Sequence, residues 1–166
     1  MKKVYLILAL AIVVFGSCKK TLPEVGGTAA KKLSNEWWVT VFLNGVDQHA
    51  SHVLIKSYNS AASDNEIWID DFPDAASATG HVWGFKVKAN SDLNNLSFSA
   101  TQSVSAVPNY NIKVDITEGK VLPLAGRSKS GVIVDSIYMK IKFEDDPANT
   151  YVVSGHAKTG FFEDEY

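Results

Sequence analysis

The residues best suited to chemistry are four histidines, several serines beside them, and clustered carboxylates. His49-Ala-Ser-His52 sets two imidazoles three residues apart at the entry to a strand, and with Asp47 such a pair could ligate zinc. No helix orients that pair, so two solvated rings beside a loop is the plainer reading, and no metal or cofactor is assigned. Ser154-Gly-His156 places a hydroxyl and an imidazole on one face of a strand. Ser154 and His156 are therefore the candidate catalytic pair, which would need a carboxylate and an oxyanion hole to converge on it. The chain has no GxSxG elbow, which in any case requires a strand–turn–helix setting. Asp70-Asp71, with Asp64, Glu66 and Asp74 close in sequence, offers hard oxygens for calcium, but without the EF-hand pattern it reads as an acidic strand end. Gly126-Arg-Ser-Lys-Ser-Gly131 could hold an anion, and reads more simply as a hairpin loop.

Aromatic side chains give the stronger signal. Eight Phe, six Tyr and four Trp are ample for a packed interior. Trp37, Trp68, Trp83, Phe85, Tyr110 and Met139 are the candidate lining of a ligand site inside a barrel. The alternative for each is ordinary core packing.

These residues sit on strands. Trp37, Val39, Val41 and Leu43 alternate with Trp38, Thr40 and Phe42, and Asn44-Gly45 supplies a turn. Further strands are expected at 52–58, 66–70, 82–89, 96–101, 110–117, 132–143 and 151–157. Glu118-Gly119 is expected to be a tight hairpin turn into another strand over 120–124. No amphipathic helix of useful length appears, so βαβ units are disfavoured. The expected fold is all-β: an antiparallel eight- or nine-stranded, lipocalin-like barrel, with a sandwich as the alternative. No internal repeat suggests a propeller or solenoid.

The N-terminus differs from the rest. Lys2 and Lys3 precede an unbroken apolar run from Val4 to Phe15, too short for a ~30 Å hydrocarbon core but suited to a signal peptide over 1–17. Gly16, Ser17 and Cys18 follow, and FGSC resembles the lipobox of bacterial lipoproteins, with Phe15 where Leu is usual. The resemblance implies acylation of Cys18 and attachment to a membrane of the bacterial envelope, the outer membrane preferred, with the domain outside the cytoplasm. Two or three acyl chains hold a protein stably where one is marginal. Residues 18–35 read as a tether with a short helical turn near Ala29–Leu33, leaving 36–166 as the barrel domain.

FGSC together with NEWWVTVFLNG, IWIDD, WGFKVKANSDLNNLSFS and SGHAKTGFFEDEY is similar to a family of Bacteroidetes-type lipoproteins labelled lipid-binding putative hydrolases. That resemblance implies a lipid-anchored barrel and brings no catalytic set. The formal charge of −2 argues against a nucleic-acid partner, and one cysteine excludes an internal disulfide. The expected function is a lipid-anchored envelope protein binding a small apolar ligand, the alternatives being an ester-type hydrolase on the same scaffold or an envelope-complex interaction module.

Overall fold

The computed structural model describes residues 26–48, 52–71 and 83–166. The expected signal peptide over 1–17, residues 18–25 of the expected tether with Cys18 among them, and His49, Asp74 and His81 lie outside the described residues.

Nine strands follow one another: β1 (Asn35–Leu43), β2 (Val46–Asp47), β3 (Val53–Asn59), β4 (Glu66–Asp70), β5 (Lys86–Asp92), β6 (Ser97–Val104), β7 (Lys113–Arg127), β8 (Ile133–Phe143) and β9 (Asp146–Ala157). Every pairing is antiparallel. β1 pairs with both β3 and β9, Trp37 standing opposite Ala157 and Phe42 opposite Val152. Eight strands therefore close into a barrel, and β2 is a two-residue addition beside β1. Closure removes the exposed sheet edges that a sandwich would keep.

Period-2 alternation sends one face of each strand inward. Val39, Ile55, Ile67, Ile69, Val87, Val114, Ile116, Ile137, Ile141 and Val153 are fully buried and belong to one continuous core. That core reaches from end to end of the described barrel.

The two ends differ. The end where β1 begins, here the lower end, is plugged by a 3-10 turn at Ala29–Leu33, whose Ala30 and Leu33 are buried. These residues fall in the stretch that composition assigns to the tether; Leu33 instead completes the core. Ser57 ties the plug down: its hydroxyl donates to the Leu33 carbonyl at 2.5 Å and accepts the Trp37 indole N–H at 2.8 Å.

Three sequence expectations need correction. Glu118-Gly119 is not a hairpin turn, because β7 runs unbroken through it. Glu118 takes φ 54° at a register shift between Thr117 and Lys120, a bulge. Gly119 leaves space for the Phe98 ring, which lies 2.5 Å from where a Cβ would stand. β9 begins at Asp146, five residues before the strand expected over 151–157, so only a tight turn joins β8 to β9. Trp83 and Phe85 precede β5, which starts at Lys86.

Candidate functional site

The upper end gathers three of the six expected lining residues, Trp83, Phe85 and Tyr110. Trp83 lies flat against Phe143, with centroids 4.5 Å apart and planes 8° from parallel. Tyr151 meets Trp83 at 5.1 Å, and Phe85 meets Phe143 edge-on at 5.5 Å. Phe85, Phe143 and Tyr151 are buried, whereas Trp83 is only half-buried. The result is an aromatic shelf closing the top of the core, with Trp83 as its outer layer.

Carboxylates hold the shelf in place. Asp71, just past β4, is buried and accepts the backbone N–H groups of Trp83 at 2.5 Å and Gly84 at 2.7 Å. Gly84 has φ 77°, which a residue without a Cβ adopts freely. Asp71 thereby fixes the turn that presents Trp83. Asp146 accepts the Tyr151 hydroxyl at 2.6 Å and lies below the usual carboxylate range, through that bond and one from Asn149. Tyr151 is pushed up to about 12, first by burial and then by its bond to Asp146. Tyr110, on the β6–β7 connection, donates to Asp145 at 2.5 Å and is also pushed up to about 12, by burial and by Asp145. Both phenols thus remain neutral donors at physiological pH.

The other expected lining residues separate. Trp37 points inward at the lower end, buried, its indole committed to Ser57. Met139 is buried mid-barrel in the continuous core. Trp68 does not line the interior: its neighbours Ile67 and Ile69 face in, so it faces out, where Lys86 and Lys88 lie about 5 Å from its ring. Asp70 likewise faces out to Lys86 and the Tyr58 hydroxyl while Asp71 is buried, so the adjacent pair is divided between two roles.

Ser154 and His156 share the outer wall, where Ser154 stands opposite Thr40 and Tyr138. His156 Nδ1 lies 3.1 Å from the Ala157 carbonyl and Nε2 lies 3.1 Å from the Tyr166 hydroxyl. A carbonyl only accepts, so Nδ1 carries the proton and Tyr166 donates to Nε2. Both ring nitrogens are used, neither on Ser154. Tyr166 also stacks on His52 at 3.9 Å and meets Trp38 edge-on at 5.5 Å. His52 titrates below its usual range, through burial and then the nearby His156. Alternation could have found Phe143, which shares a face with Ile141 in β8; nothing local in the sequence pairs Tyr166 with His156.

One described cleft, of about 260 Å³, lies at the upper rim and reaches Phe143 between Lys113, Glu144 and Pro147, and another is on the barrel wall. The one between β6, β7 and β8 has about 360 Å³ and is lined by Thr101, Asp115, Thr117, Lys140 and Lys142 among others. This wall cleft touches none of the shelf residues.

Fold and site together define a small antiparallel meander barrel, plugged at one end and topped by an aromatic shelf at the other. Residues 22–162 match the family model described as lipid-binding putative hydrolase, and the chain belongs to that family. A comparison with curated proteins finds no match.

Proposed function

We propose that this protein binds an apolar, lipid-like molecule against the aromatic shelf at the upper end of its barrel, and that it does so tethered to an envelope membrane through an acylated Cys18. The observation that carries the binding reading is Trp83: a half-buried indole, stacked flat on Phe143 and held by Asp71, at the upper end of the buried core. A ligand gains aromatic surface there without displacing the core, and aromatic contacts dominate such burial. The family description, which names lipid binding, supports the same reading. The tether rests on the positive n-region, the short apolar run and FGSC.

Titrating the purified protein with long-chain fatty acids and sterol-like probes should shift its tryptophan emission. Trp83→Ala should weaken binding about tenfold, roughly 1.4 kcal/mol, while Trp68→Ala on the outer wall should not. Unchanged emission with every probe would overturn the reading, as would turnover of simple esters that vanishes in His156→Ala. For the tether, Cys18→Ala should release the protein from the membrane fraction, and an intact mass lacking a diacylglyceryl group would refute it.

A further inference from the structure

Exposed apolar side chains concentrate at the lower end, opposite the shelf. The β7–β8 hairpin extends past the end of β9 there and carries Leu124, Val132 and Ile133, which are 71%, 43% and 54% exposed. The segment after β9 folds back beside it and turns at Phe162–Asp164, leaving Phe161 55% and Phe162 92% exposed. These two pieces are fastened together. Asp164, buried, accepts the Ser130 N–H at 2.6 Å and the Thr159 hydroxyl at 2.6 Å, and Lys129 donates to the Glu165 carbonyl at 2.8 Å. Phe162 is thus held outward by a clasp on both sides of it, while the Lys129 ammonium lies 5.3 Å from the Tyr166 ring.

Where the chain enters the barrel decides what this face meets. The plug at Ala29–Leu33 is at the same end, with Lys31 and Lys32 in its last turn. Seven residues lie between Cys18 and Gly26, a reach of at most about 28 Å when fully extended. An anchor at Cys18 therefore holds the lower end within reach of the bilayer.

We infer that the lower end is a membrane-docking face, on which Phe161, Phe162, Leu124, Val132 and Ile133 enter the headgroup–acyl boundary. The charges around these side chains are mixed, Lys31, Lys32 and Lys129 against Glu163 and Glu165, so burial of apolar surface is what carries the docking. The inference rests on the tether proposed above. It gives the tethered barrel one orientation, with the aromatic shelf turned away from the membrane.

The test uses the full acylated chain in vesicles of phosphatidylethanolamine and phosphatidylglycerol, with a nitroxide label on Phe162→Cys, Leu124→Cys or, at the upper end, Ala148→Cys. Collision with membrane-dissolved oxygen and with an aqueous nickel chelate is read by power saturation. Labels at 162 and 124 should show raised oxygen access and reduced chelate access relative to the label at 148, and should do so with phosphatidylcholine in place of phosphatidylglycerol as well. Labels at all three positions equally open to the chelate, in protein that still sediments with the vesicles, would overturn docking and leave the tether standing. Failure to sediment would overturn both. Spin–spin broadening at 162 that grows with protein density would also overturn docking, by showing that the face meets a second copy.

Discussion

Gly155 in β9 lies directly against the carbonyl of Trp38 in β1, so closely that a Cβ on Gly155 would overlap that oxygen and stand 2.6 Å from the Val39 Cα. The contact is backbone on backbone at the seam that closes the barrel. Gly155→Ala is therefore expected to cost about 2–4 kcal/mol, more than an ordinary strand substitution, because neither strand can yield without opening the seam. Urea denaturation of the two proteins measures it, and a loss below half a kcal/mol would refute the account.

Ser57 is the single hydroxyl joining Trp37 to the plug. Ser57→Ala leaves a buried indole N–H and the Leu33 carbonyl without that partner, at a cost of about 1–3 kcal/mol. Hydrogen exchange should show the plug at 29–33 opening before the strands.

Asp71→Ala removes the acceptor for two backbone N–H groups at the turn that presents Trp83. The expected outcome is a loss of about 1–3 kcal/mol in stability and a red shift of tryptophan emission as Trp83 leaves Phe143. An unchanged spectrum would show that stacking alone holds the indole.

Asp164 predicts a pH response. Burial would raise its pKa, but hydrogen bonds from Thr159, Ser130 and Ser128 outweigh that and bring it to about 2. The folded value lies below the ordinary one, so the unfolded chain binds the proton more readily, and stability falls as pH falls. The contribution is complete above about pH 4 and is lost as pH drops through about 2. Carboxyl NMR should find the Asp164 midpoint near 2, and Asp164→Asn should abolish the part of the acid response that loosens the clasp.

The wall of the barrel was legible in the sequence wherever one strand face is dry and the other wet. Val114 and Ile116 against Lys113 and Asp115 announce β7, and Ile137 to Phe143 announces β8. The signal weakens where geometry is decided by partners distant in sequence. Glu118-Gly119 looks the same in sequence whether the chain reverses or merely bulges, and the Phe98 ring across the sheet decides between them. Trp68 alternates between two isoleucines, so its outward place could have been read from Ile67 and Ile69. Its ring is nonetheless as apolar as those that face in. The shelf was half legible: Trp83, Phe85 and Tyr110 come from aromatic content, while Asp71 and Tyr151 join them only through the fold.

Pairing of β1 with β9 also sets the order in which the molecule can assemble. The contacts between Trp37 and Ala157 are among the longest in sequence separation, and contacts of that kind form late because so much chain entropy must first be lost. Until β9 arrives, β1 and β8 each present an unpaired edge, open to pairing with another chain. A chain threaded across a membrane from its N-terminus would hold that open-edged state for as long as β9 remained on the other side. The seam thus makes barrel closure a late event in folding, and the interval before it is when the open edges have most to lose.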